Sequence, residues 1–201
     1  MSYTSLWTIN EEWKGAERSK YHNSYLFPPV VWDILLCKYV TDDERNNTLS
    51  YLMWIGFTFD KEEQSRRFDM LNSRINNSEI QYDRVLWELA NLSVFNAKDK
   101  ALVADCIEKF VENNFNYLDF KDVEHIKERF CEVEKDIREL PEECKFFVIH
   151  PTSCDDNVEW WFERGKALSS WDKYVCEFTL IENEKVVGFS DNLKMCKEDN
   201  K

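Results

Sequence analysis

Asp122-Val-Glu-His-Ile-Lys-Glu-Arg-Phe-Cys-Glu-Val-Glu-Lys-Asp-Ile-Arg-Glu-Leu-Pro141 is followed almost at once by Lys145-Phe-Phe-Val-Ile-His150. In the first stretch Val123, Ile126, Phe130, Val133, Ile137 and Leu140 recur at steps of 3, 4, 3, 4 and 3, the seam of an α-helix. Pro141 stops it, and the second stretch is the kind of short, β-branched and aromatic run that forms strands. The texture therefore changes from helix to sheet near residue 140. The seam holds fewer than three heptads, which leaves two readings: a coiled-coil face for a partner, or the core face of an ordinary helix.

Toward the N-terminus, Tyr3, Leu6, Trp7 and Ile9 predict an opening strand over 2–9, and Pro28-Pro29 with Val31, Ile34, Leu35 and Tyr39 a helix over 29–40. Thr41-x-x-Glu44 reads as a capping box, which carries a helix as far as about Ile55 although Leu49 to Phe59 could also be extended. Asp60 can cap a helix with Phe68, Leu71 and Ile75 on one face, and Ser78-x-x-Gln81 one with Tyr82, Leu86 and Leu89 inward. Asn96 with Asp99 opens another, carrying Val103, Ile107, Phe110 and Val111. After 145–150, the runs 158–162, 174–181 and 185–189 predict a meander, with a hairpin turn at Asn183-Glu184. The expected fold is a single α+β domain over 1–201: an N-terminal strand, a helical middle of four to six helices, and a C-terminal antiparallel sheet of about four strands. Residues 1–140 are its mainly helical part, 141–190 the meander and 191–201 a polar tail.

Composition mostly excludes. Twenty-six Lys and Arg against 39 Asp and Glu give a net charge of −13, the wrong sign for a direct binder of free nucleic acid. At ordinary usage the chain would hold roughly 14 glycines; it has Gly15, Gly56, Gly165 and Gly188, too far apart for a P-loop, a dinucleotide fingerprint, an EF-hand or a nucleophile elbow. Seven cysteines without a CxxC spacing read as reduced thiols, and the lack of an apolar run of 18 residues or of a leader predicts a cytoplasmic protein without a membrane segment.

His22, His125 and His150 form no HExxH or HxxxH pattern, so neither a metal nor a cofactor is expected. His125 reads as a surface residue and His22 as a local hydrogen-bonding one. His150 is the more informative, because Thr152, Ser153, Cys154, Asp155, Asp156 and Glu159 follow within ten residues. A ribonuclease could use His150 as general base with Asp155, Asp156 or Glu159. The plainer reading of Asp155-Asp156-Asn157 is a turn between strands. The PD-(D/E)xK pattern lacks its E-x-K step, and Ser170-Trp-Asp-Lys173 lacks the companions that SxxK chemistry needs.

Two surfaces suit binding instead. Trp160 and Trp161 point to opposite sides of a strand, so one large aromatic is either left on an open face as an anchor or shielded by other chain. Residues 112–143 hold eleven acids and five bases, a net of −6, with Glu128, Glu132, Asp136 and Glu139 on the solvated side of the seam helix. Such a face solubilises a protein, and it also complements a basic groove on another protein.

Tyr3-Thr-Ser-Leu-Trp7 with Tyr21-His-Asn-Ser-Tyr-Leu-Phe-Pro-Pro-Val-Val-Trp-Asp33, and Thr152-Ser-Cys-Asp-Asp-Asn-Val-Glu-Trp-Trp-Phe162, resemble small acidic proteins carried on phages and mobile elements of Gram-positive bacteria, a group that includes type II anti-CRISPR proteins. The resemblance carries no catalytic motif. It implies an inhibitor, working in the host bacterial cytoplasm, of a Cas9-type effector with or without guide RNA, whose positively charged channel an acidic protein could block. An immunity protein against a bacterial toxin needs the same surface, and a guide-RNA ribonuclease is the enzymatic alternative.

Overall fold

Leu6 on one strand and Phe147 and Ile149 on another alternate with residues of the opposite face, and this period of two builds the sheet on which the helices lie. The computed structural model describes residues 3–10, 15–56, 60–117 and 122–152. In chain order these form β1 (Tyr3–Ile9), β2 (Gly15–His22), α1 (Pro28–Tyr39), α2 (Tyr51–Gly56), α3 (Lys61–Asn76), α4 (Gln81–Ala90), β3 (Phe95–Asn96), α5 (Lys100–Asn114), α6 (Val123–Arg138) and β4 (Phe146–Thr152). The sheet is antiparallel throughout, in the order β2-β1-β4-β3. The α+β class, the N-terminal strand and the six-helix middle agree with the sequence. The sheet draws on both ends of the chain: β1 lies against β4, Leu6 opposite Ile149. The predicted runs 158–162, 174–181 and 185–189 and the tail 191–201 lie outside the described residues.

All six helices contribute to a single apolar cluster on the Leu6, Phe147 and Ile149 face of the sheet. Prolines 28 and 29 start α1, where the missing N–H groups cost nothing, and its Val31, Ile34, Leu35 and Leu36 are fully buried at the centre of the cluster. The opposite face is apolar too: Trp7, Ile9 and Val148 are 0–1 % exposed, yet they stand outside the helical cluster.

The departures from the expected elements have local causes. At Thr41 the predicted capping box closes, with the Thr41 N–H donating to Glu44 Oε2 at 3.0 Å. The chain then takes left-handed conformations at Asn46 (φ 52°) and Asn47 (φ 56°), which end the turn before a helix can propagate. The helix resumes only at Tyr51, capped from outside: Asp33 of α1 accepts the Tyr51 N–H at 2.6 Å. Ser78 accepts from the Ile80 N–H at 3.0 Å, and α4 starts at Gln81. Asn96 begins a single 3-10 turn ahead of α5, accepting from the Lys98 N–H.

Burial pushes the Asp33 carboxyl up to about 6, against the smaller opposing effect of the Tyr51 N–H. A carboxyl raised in the folded state binds its proton more tightly there than in the unfolded chain, so it supports the fold fully below about pH 4 and loses that support as pH rises through 6. Asp33→Asn keeps a carbonyl acceptor for Tyr51 and removes the charge. Urea unfolding should find the variant more stable than the parent by about 1–2 kcal/mol at pH 7.5, with the advantage gone at pH 4.

Candidate functional site

The strongest candidate surface is built on α6. Asp122 caps its first turn through the His125 N–H at 3.4 Å, and Ile126, Phe130, Val133 and Ile137 are buried. The seam is thus a core face. Phe130 sits among Phe27, Phe115 and Phe110, with ring centroids 4.6, 5.1 and 6.3 Å away. At about 100° per residue, Glu124, Glu128, Glu132 and Glu139 fall within about 80° of each other, directly opposite the buried seam. All four are exposed, and Lys135 is the one cation within their stripe.

Local partners divide these acids into two kinds. Glu124 lies 3.0 Å from Lys127, Glu132 lies 3.2 Å from Arg129 and Glu134 lies 2.5 Å from Arg138. The Glu124 and Glu134 pairs contribute about 0–1 kcal/mol each and are readily exchanged for another cation, whereas Glu132 answers a guanidinium that is itself buried. Asp136 is different: half-buried, it accepts from the Tyr21 hydroxyl of β2 at 2.7 Å, so its role is to hold α6 to the sheet. Burial first, and Asp136 second, push the Tyr21 phenol well above its ordinary range. Beside the stripe, exposed Asp105, Glu108 and Glu112 of α5 continue the acidic surface, and Arg138 reaches across to Asp105 at 3.0 Å.

His150 lies on β4 opposite Ser5 of β1 and is 6 % exposed. Ser5 Oγ donates to Glu17 Oε1 at 2.5 Å. Asp155, Asp156, Glu159, Trp160 and Trp161 lie outside the described residues. His22 is exposed on β2, and His125 is exposed on α6 as expected. Among the described residues no group of His, Cys, Asp and Glu is placed to hold a metal ion, and no helix is long and apolar enough to cross a membrane. A cavity of about 260 Å³ opens between Thr8, Ile9, Ala16, Pro141, Glu143 and Cys144. Its thiol is held protonated by burial and donates to the Phe146 carbonyl, so it is not an activated nucleophile.

One polar cluster escaped the sequence reading. Asp83 of α4, wholly buried, has Lys38 Nζ of α1 at 2.7 Å from Oδ2, the Tyr39 hydroxyl donating to the same oxygen at 2.5 Å, and Asn114 Nδ2 of α5 donating to Oδ1 at 2.7 Å. Lys38 also donates to Asn114 Oδ1 at 2.8 Å and lies 5.4–5.8 Å from the rings of Tyr39, Tyr82 and Tyr117. Both carboxylate oxygens are satisfied, and burial with Asp83 pushes the Tyr39 phenol up. The arrangement ties three helices together and leaves no group poised for acid–base work. One sequence signal pointed to it: Asp83 shares the inward stripe of α4 with Leu86, Trp87 and Ala90, all buried.

Compared with protein-family models, with curated proteins and with solved structures, the chain matches none.

Proposed function

We propose that the chain is an acidic inhibitor that binds the basic surface of a nucleic-acid-processing enzyme, a Cas9-type effector being the first to test. The observation that carries the reading is the stripe Glu124, Glu128, Glu132 and Glu139, held outward by a helix whose opposite face is locked into the core. A rigid acidic surface loses little conformational freedom on binding and complements a channel built to hold phosphates. The choice of effector rests on the resemblance of residues 3–7, 21–33 and 152–162 to anti-CRISPR proteins. Whichever of Trp160 and Trp161 is left on an open face would add an aromatic anchor.

An immunity protein would use the same stripe against a toxin. The ribonuclease reading is the weaker one because RNA must reach His150, and that residue is 6 % exposed.

Co-purification with a Cas9-type effector, with and without guide RNA, tests the proposal. The expected result is a complex with the RNA-free effector that dissociates in high salt, is weakened by prior loading of the guide–target duplex, and blocks DNA cleavage. Absence of a complex and of inhibition in both states overturns it. Shortening of the guide RNA that stops with His150→Ala would establish the ribonuclease instead.

A further inference from the structure

Between Arg45 and Asp60 the chain runs for fourteen residues, 46–59, without a charge, the longest such run in a sequence with 26 Lys and Arg and 39 Asp and Glu. Helix α2 lies within it. Tyr51 and Trp54 turn into the core, 7 and 2 % exposed, while Leu52 and Met53 on the outer face keep 47 and 50 % exposure and Leu49, two residues ahead of the helix, 55 %. Large apolar side chains grouped in this way mark an interaction site, unlike the single exposed residues of an ordinary surface. The edge of the patch is built by α3. Arg67 donates to the Trp54 carbonyl, stands 5.6 Å from the Trp54 ring and lies 2.8 Å from Glu63, which also receives Arg66 at 2.6 Å. Residues 60–67 hold three acids and three bases, so 46–67 is neutral and the rest of the chain carries the whole net charge of −13.

We infer that this corner is the interface of a homodimer, and that its occupant is the same corner of a second copy, related by a two-fold axis. Two chains of −13 repel one another as they approach, and a two-fold contact through an acidic surface sets acids against acids. The neutral corner escapes that repulsion. In an isologous contact each copy offers the same patch, so Leu49, Leu52 and Met53 meet their counterparts in an uncharged centre, and the rim on α3, with acids and bases in equal number, can pair across the axis. A basic partner finds no acidic surplus here to complement, and an anionic membrane repels a chain of this charge. Three half-exposed side chains make a small centre beside the roughly 800 Å² that each partner gives to a standard interface, so the association is weak and concentration-dependent.

Sedimentation velocity on the full chain under reducing conditions, from about 5 to about 500 μM and at low and high salt, is the test. The expected result is a monomer–dimer equilibrium that tightens as salt screens the repulsion between the two charged bodies, the opposite of the salt response expected of the α6 stripe. Leu52→Lys with Met53→Lys sets like charges across the axis and should weaken the dimer at least ~10-fold. Both positions are about half exposed, so the urea midpoint of the dilute variant should stay with the parent's; the milder Leu49→Gln serves if it does not. A chain that stays monomeric at every concentration in both salts overturns the inference, as does a dimer that neither the lysine pair nor Leu49→Gln weakens. Neither outcome bears on the acidic stripe of α6, so the inhibitor proposal stands or falls separately.

Discussion

Asp83→Ala is expected to lower the stability of the fold by about 3 kcal/mol, read as a shift in the urea midpoint. The carboxylate is wholly buried and receives Lys38, Tyr39 and Asn114, so its removal strands an ammonium against a single amide oxygen and leaves the Tyr39 phenol only Ser78 Oγ, 2.8 Å away, as acceptor. Breaking a buried pair in this way costs about 3–5 kcal/mol. The low end applies because the Lys38 side chain keeps 11 % exposure and with it a route to water. The double variant Lys38→Met with Asp83→Leu removes both charges and should recover most of the loss. A double variant no more stable than Asp83→Ala alone would show that the cluster acts through its hydrogen bonds to Tyr39 and Asn114 rather than through its charge.

Phe130→Ala should cost about 3–5 kcal/mol. Its ring is 0 % exposed, and three phenylalanines from before α1, from α5 and from the end of α5 close around it, so the vacated space cannot be filled without moving two helices. The consequence reaches the candidate site. α5 and α6 present acids on adjoining outer surfaces, and what opposes their repulsion is the packing of the seam beneath. Thermal unfolding should show the loss, with the salt dependence of the variant's midpoint steeper than the parent's as screening relieves that repulsion.

Where side chains repeat with a clear period, the structure was legible in advance. α6 follows its seam from Val123 to Ile137, and β1 and β4 lie within two residues of their predicted limits. β2 was not legible: Gly-Ala-Glu-Arg-Ser-Lys-Tyr-His carries no apolar alternation, because it is an edge strand whose Glu17, Arg18 and Lys20 face water. The turn at Asn46 and Asn47 defeated a capping box that nevertheless forms. At the candidate site, the helical period alone placed Glu128, Glu132 and Glu139 outward. Asp136 was grouped with them because its period does not disclose Tyr21, 115 residues away in sequence, and the Lys38–Asp83 pair is likewise a product of tertiary packing.

The central claim is that the outward stripe of α6 is the binding surface, and affinity for the effector after charge reversal tests it most directly. The variant Glu124→Lys, Glu128→Lys and Glu139→Lys changes only exposed positions opposite the core and leaves Glu132 with the buried Arg129, so its unfolding midpoint should stay within a few degrees of the parent's. Titrated against the RNA-free Cas9-type effector, it should bind at least ~100-fold more weakly, about 2.7 kcal/mol, and with a flatter dependence on salt. Equal affinity and an equal salt slope for the two proteins would contradict the account.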